Sequence, residues 1–421
     1  MHRAAFLVAL LASQTAAADT LYITVGADAI GTVTATASYA NIHAADDQVA
    51  VLEVDETDLE AIAREMHERH GRCGGFMAHD TLADAMQNDK KPNPPIEYTL
   101  DQPATVLNVL GTIDRGNILA TIRELSEMPS RLYKSASGAA ASTWLRDRWR
   151  SFSDRTDITI ELVDHGYPQK SVMLTIPGTT QASEVVVIGG HLDSITFGGG
   201  GMGAPGADDD ASGIATMTEV LRALLSADYR PARTLVFVAY AAEEIGLRGS
   251  QGVVKLFGQR GINAVGALQL DMTNYQGSEK DIWLIKDFTS APQNEFLIKL
   301  IDTYVGATRG LDACGYACSD HASWYRAGVP ASMPFESRMR ERNMSIHSAR
   351  DTLEVSGNNA DHAVKFARLA AAYAIEMGKG SAGPPHASVA APAPTDSCNW
   401  TWALLAALAA AGILLERRVT R

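Results

Sequence analysis

The chain has 421 residues, 46% hydrophobic and 20% charged, enough for one large globular domain and one small one. Its formal net charge of −13, with no Lys/Arg stripe to neutralise phosphates, excludes a nucleic-acid partner. The acidity is local: residues 19–94 hold 14 Asp/Glu against 5 Lys/Arg, a net of −9, so the remainder is close to neutral.

The opening "MHRAAFLVALLASQTAAADT" has Arg3, an apolar run from Ala4 to Ala12 and a small-residue site before Asp19. That order reads as a secretory signal over 1–18, too short to span a bilayer, and places the mature protein outside the cytoplasm, secreted, periplasmic or at the cell surface. Residues 19–94 read as a small α+β module: a strand "TLYITV", a Thr/Ala-alternating "IGTVTATASYANI", a strand "QVAVLEV", an N-capped helix "DETDLEAIAREMHERHG" and a short helix near "TLADAMQ". "NDKKPNPPIEY" then breaks the periodicity, and an exposed Lys/Pro connector is where proteolysis concentrates, so 19–94 is expected to be a propeptide.

From 95 to 379 apolar runs alternate with amphipathic helices. "GNILATIRELSEMPSRLY" and "GAAASTWLRDRWRSF" read as helices, and "SVMLTIPG", "EVVVIGGHL", "TLVFVAYAA" and "ALQLDM" as strands. The last three are nearly continuous in apolar residues, as strands buried on both faces are, which implies a largely parallel α/β sheet. The glycine-rich stretch 197–206 lacks the context of a phosphate loop and reads as a flexible loop with no nucleotide. In an oxidising compartment Cys314 and Cys318, four apart, read as a local disulfide, while the pairing of Cys73 and Cys398 stays open. A Pro/Ala-rich linker, 380–398, leads to the apolar tail 399–421, flanked by Trp400 and Trp402 and by Arg417, Arg418 and Arg421. The tail resembles bacterial sorting tails that hold an exported protein at the membrane until they are cleaved; a permanent anchor is the alternative.

In open α/β sheets, ligands bind beyond the carboxyl ends of the strands. Here "EVVVIGG" runs into His191 and Asp193, "TLVFVAYAA" into Glu243 and Glu244, and "ALQL" into Asp271, while Asp208, Asp209 and Asp210 precede the helix "IATMTEVLRALL". Any one has a plain structural explanation as a cap or a packed polar residue. Together they form a repelling carboxylate cluster that costs several kcal/mol unless cations compensate. Two divalent ions would do so, and imidazole with carboxylate suits zinc. The inventory is His191 and His347, Glu244 and Asp271, and one bridging carboxylate from the Asp run, with Glu243 left beside the water as a general base. Asp193 is placed to accept the second ring N–H of His191.

"GGHLDS", "APGADDDASG", "AYAAEEIGLRGS", "LQLDMTNY", "CGYACSDHASW" and "IHSARDTL" resemble, in this order, motifs of the secreted two-zinc aminopeptidases of the bacterial leucyl aminopeptidase type, zinc-exopeptidase family M28. The resemblance covers roughly 95–379. It implies a mixed sheet flanked by helices, peptide substrates, two Zn2+ per chain, Asp209 as the bridge, and His191, Glu244, Asp271 and His347 as the other ligands, with Glu243 as base. It also implies that the Cys314–Cys318 disulfide shapes the loop carrying Tyr316, whose hydroxyl stabilises an oxyanion, and that the chain is a monomer after processing. The family's apolar side-chain pocket falls on Met272, Ile285, Met333, Phe335 and Ile346 here; Met339 and Arg342 depart from its usual aromatics. A single-zinc glutaminyl cyclase and a metal-free binding module on the same fold are the competing readings.

Overall fold

The computed structural model describes residues 20–87, 90, 93, 96–197 and 203–383. The signal segment, residues 198–202 of the glycine-rich loop, most of the linker with Cys398, and the apolar tail lie outside the described residues. Among the described residues no helix is long and apolar enough to cross a membrane.

The N-terminal part is a four-stranded antiparallel sheet in the order Ala40–Ala45, Val49–Asp55, Thr20–Gly26, Phe76–His79. The Thr/Ala-alternating stretch is not one element: Ile30–Thr36 is a helix and Ala40–Ala45 a strand, because Val33 packs into the module's core while Ala37 turns to extended backbone. Helix Leu59–His70 buries Leu59, Ile62, Ala63 and Met66, an i, i+3, i+4, i+7 stripe, and ends at Gly71 with φ 63°. Two helices crossing one face of such a sheet give the split β-α-β arrangement, β-α-β-β-α-β in chain order.

The larger part is built on a mixed sheet, six-stranded among the described residues: Ala331–Ser332, Asn263–Gln269, Gln181–His191, Arg233–Tyr240, Ser171–Ile176, Thr159–Val163. The first four are mutually parallel and the last two antiparallel. Strand periodicity sorts the side chains into two cores. Val186, Ile188, Leu235, Phe237 and Ala239 face helices Arg115–Ser126, Ala211–Ser226 and Asp361–Gly378, and Val185, Val187, Val236, Val238 and Tyr240 face helices Arg248–Arg260 and His321–Arg326. "SRLY" at 130–133 is not helical; the helix expected there stops at Ser126, ahead of Pro129. At the far end the chain stays on the domain beyond 379, since Gly380–Ser381 pairs with Arg230–Pro231.

The small module shares its core with the larger part: Leu132, Tyr133, Ile195, Ala242 and Ile245 pack among its apolar residues. Hydrogen bonds from the Ala78 N–H to the Gly246 carbonyl and from the Gln251 amide to the Ala78 carbonyl, with the Arg248–Glu56 ion pair at 2.6 Å, tie the module to the chain just past Glu243 and Glu244.

The His191 strand can reach the site only because Gly189 has no side chain. A Cβ there would stand 2.4 Å from the Tyr240 ring, which is itself held by the Trp324 indole N–H at 2.8 Å. Gly189→Ala is therefore expected to lower the urea midpoint by an amount corresponding to about 1–3 kcal/mol; an unchanged midpoint would mean that the ring has room to move.

Candidate metal centre

Four segments converge at the carboxyl ends of the parallel strands. His191 is the last residue of its strand, Glu243 and Glu244 follow the Arg233–Tyr240 strand, Asp271 follows Asn263–Gln269, and Asp209 stands ahead of helix Ala211–Ser226. His347 comes from the loop after Phe335. Ala242, Met272 and His347 have φ of 54°, 57° and 56°, so three of the delivering turns use left-handed backbone at non-glycine positions. Each costs about 1–2 kcal/mol, strain that collects where geometry is imposed from outside the turn.

The three consecutive aspartates have separate partners. Asp210 caps its helix through the Gly213 N–H and also accepts the N–H groups of Met272 and His191, tying two of the strand ends to the helix start. Asp208 accepts from the Asn274 N–H and the Asn343 side-chain amide. Asp209 lies between the imidazoles: Oδ1 is 3.0 Å from His191 Nε2, and Oδ2 is 3.2 Å from His347 Nε2. Asp271 Oδ1 is 3.6 Å from His191 Nε2, and Glu244 Oε2 is 2.8 Å from His347 Nε2. The donors thus form two sets sharing Asp209. In the second set, both carboxylate oxygens of Glu244 and both ring nitrogens of His347 are buried without a hydrogen bond. Donor atoms that approach this closely without hydrogen-bonding, in a site of imidazole and carboxylate, fit divalent zinc.

Asp193 does more than was expected of it. His191 Nδ1 is 3.2 Å from the Asp193 carbonyl and 3.5 Å from its carboxylate, whose two oxygens accept the N–H groups of Glu243 and Glu244. It therefore fixes the paired glutamates as well as the imidazole. Two further positioning residues were not singled out from the sequence, although Asp351 lies within the quoted "IHSARDTL". Asp351 accepts the N–H groups of Asp208 and Asp209, locking the His347 loop to the aspartate run. Arg131, 1% exposed, donates to the carbonyls of Leu125, Leu192, Pro205 and Gly206 beneath the cluster. A lone arginine in a stretch with helical periodicity gives no warning of burial; only the "PSR" break hints at it.

Burial pushes Glu243 and Glu244 up from the ordinary carboxylate range; the charges of Asp320, Glu244 and Asp271 add to the rise at Glu243, and that of Asp209 to the rise at Glu244. Burial also opposes charge on His191, but Asp271 and Glu243 outweigh it and raise the imidazole; Glu244 does the same for His347. For Asp209 burial again acts upward, yet the hydrogen bond with His191 and the close approach of both imidazoles prevail and hold the carboxyl low. Positive charge is favoured at the two places where the donor sets converge.

Met272, Ile285, Met333, Phe335 and Ile346 form one buried apolar cluster beside the site, with Met339 and Tyr316 at its margin. Arg342 does not snorkel outward: its guanidinium donates to the carbonyls of Met339 and Gly71. Cys314 and Cys318 are joined, with Cα atoms 6.2 Å apart. The Tyr316 hydroxyl accepts the Cys73 N–H at 2.8 Å. A separate cleft of about 580 Å³ between the small module and helix Arg248–Arg260 contains none of the clustered residues.

Residues 171–373 match the model of peptidase family M28. Leucine aminopeptidase 1 of Uncinocarpus reesii is 34% identical over 281 residues, 63% of this chain and 70% of the relative. The LapA aminopeptidase of Legionella pneumophila superposes with a TM-score of 0.76 at 29% identity, over 85% of this chain and 98% of LapA. LapB of the same organism gives 0.75 at 29% identity, over 86% and 100%.

Arg131 places a buried guanidinium beneath the acids, so Arg131→Met should cost about 3–5 kcal/mol in urea unfolding, the loss expected when one member of a buried charge set is removed. A loss below about 1 kcal/mol, the value of an exposed pair, would show that Arg131 does not stabilise the acids.

Proposed function

Since the chain belongs to peptidase family M28 and is an aminopeptidase, we propose that it is an exported two-zinc enzyme that removes apolar, leucine-like residues from peptide N-termini. The observation that supports this most directly is the shared carboxylate, with Asp209 turning one oxygen to His191 and the other to His347. His191, Asp271 and Asp209 would hold one ion, and His347, Glu244 and Asp209 the other. When bound, the ions would polarise the scissile carbonyl and lower the pKa of the attacking water. Glu243, next to Glu244 and 4% exposed, takes the proton from that water and returns it to the leaving amine. The Tyr316 hydroxyl donates to the oxyanion of the tetrahedral intermediate. The apolar cluster around Met333 and Phe335 receives the side chain of the N-terminal residue, with Met339 and Arg342 at its edge.

A single-zinc cyclase would need only one of the two donor sets, and a binding module would need neither them nor Glu243. The proposed organisation is a signal at 1–18, a propeptide at 19–94, a catalytic domain at 95–379, a linker at 380–398 and a tail at 399–421 that gives transient membrane attachment. The catalytic domain then acts as a monomer.

Metal analysis alongside hydrolysis of amino-acyl amides tests the reading: two ions per chain and preference for leucine are expected. One ion with cyclisation of N-terminal glutamine would establish the cyclase, and no ion would establish the binding module. Glu243→Gln should keep both ions while kcat falls roughly 10²–10⁴-fold; near-normal turnover would remove Glu243 from the role of base. Tyr316→Phe should lower kcat by about 10²-fold with KM little changed, and an unaffected kcat would leave the hydroxyl as packing alone.

A further inference from the structure

The small module does not merely sit near the cluster; it inserts a cysteine into it. Between helix Leu59–His70 and strand Phe76–His79 the chain reads "GRCGG", with Gly71, Gly74 and Gly75 at φ 63°, 52° and 79°. These left-handed positions turn the loop back over the site, and a Cβ on Gly74 would already touch the Glu244 carbonyl oxygen at 3.4 Å. At the loop's centre, Cys73 Sγ is 4.0 Å from Asp209 Oδ2. Cys73, Asp209 and His347 form a group whose donor atoms all lie within 4.8 Å of one another. Cys73 is the cysteine outside a disulfide among the described residues. The buried, unpartnered atoms of Glu244 and His347 lie at the same place.

The loop is held from several sides. The Cys73 N–H occupies the Tyr316 hydroxyl, the Gly71 carbonyl takes the Arg342 guanidinium at 2.7 Å, and Arg72 lies over the Tyr316 ring while paired with Asp28 at 2.7 Å. The His67 ring packs on the His347 ring, centroids 4.6 Å apart. Cys73 itself lies against the apolar cluster assigned to the substrate side chain.

From this geometry we infer that Cys73 is a metal ligand supplied by the N-terminal module, its thiolate closing the ion of His347, Glu244 and Asp209 to water and so holding the uncleaved chain inactive. The inference rests on the two-zinc reading above. Three protein ligands leave a zinc ion open for water; a fourth, thiolate, ligand gives the closed tetrahedral set of a structural site. Binding the thiol releases one proton to solvent and needs no oxidant. Withdrawing the loop frees in one movement the coordination position, the Tyr316 hydroxyl and the apolar pocket.

The test uses the uncleaved full-length chain loaded with cobalt(II) and, separately, with zinc. Metal analysis comes first, because fewer than two ions per chain would overturn the two-zinc reading itself. With two ions present, the cobalt form should show thiolate-to-metal charge-transfer absorption that Cys73→Ser abolishes. Zinc should slow iodoacetamide labelling mapped to Cys73 by at least about tenfold relative to chelator-treated protein, since a metal-bound thiolate is a poor nucleophile. Cys73→Ser with both ions should hydrolyse leucine p-nitroanilide at least about tenfold faster than the uncleaved wild type, as the ion regains its open position. Two ions without the absorption, or equal labelling with and without zinc, overturn the ligand assignment. Unchanged hydrolysis by the two-ion Cys73→Ser chain overturns the restraint.

Discussion

Repulsion between carboxylates in a place with little water sets the terms for this end of the sheet. Asp193, Asp208, Asp209, Asp210, Glu243, Glu244, Asp271, Asp320, Glu336 and Asp351 are none of them more than 5% exposed. At an effective dielectric of 20, two unit charges 4 Å apart repel by about 4 kcal/mol. The fold disperses much of this load without metal. Asp193, Asp208, Asp210 and Asp351 each accept backbone N–H groups, Asp210 stands at a helix start, and Arg131 brings a full positive charge from below. Asp209, Glu244 and Asp271 are left facing the two imidazoles, and these are the groups whose remaining charge calls for cations.

That division explains why so many acids are needed around so few candidate ligands. A ligand carboxylate must point its lone pairs at an ion, so its own backbone has to be fixed by something else. Asp193 fixes Glu243 and Glu244, Asp210 fixes the peptides of His191 and Met272, and Asp351 fixes Asp208 and Asp209. The supporting acids spend their oxygens on N–H groups, and the site gains rigidity without competing for the donors' geometry. Left-handed turns at Ala242 and Met272 adjoin or carry the same bonds.

The α/β architecture with a largely parallel sheet was legible in the sequence because strands buried on both faces leave unbroken apolar runs, and the residue ending each run can be read off directly; that the sheet is mixed came only with the family resemblance. His191, Glu243, Glu244 and Asp271 stand out for that reason. Spacing alone could not distinguish Asp208, Asp209 and Asp210, since their differences lie in distant partners such as Asn274, Asn343 and Met272. The roles of Arg131 and Asp351 could not be read for a related reason: a buried arginine and a buried aspartate in polar stretches look like surface until the chain is folded, even where, as for Asp351, the residue lies within a quoted motif. The reach of Cys73 depended on how one module docks on another, which no periodicity encodes. The glycines around it were the sole local hint.

The docking itself would limit the release of the small module if it acts as the proposed propeptide. Its contacts with the larger part include the Arg248–Glu56 pair, with Glu56 35% exposed, and the Lys255–Asp80 pair at 3.9 Å with both partners well exposed. Pairs of this kind contribute up to about 1 kcal/mol each and weaken with salt. The continuous apolar core through Leu132, Tyr133, Ile195, Ala242 and Ile245 is the stronger bond, at about 25 cal/mol per Å² buried. Cutting the exposed connector near Lys90 removes the tether but not this adhesion, so a severed module would stay seated until it is itself digested or unfolds. Because Ala242 belongs to that shared core and precedes Glu243 directly, release of the module would also remove a packing support from the turn that presents the paired glutamates. The hydrogen bonds that both glutamate N–H groups donate to the Asp193 carboxylate would then keep that turn in place.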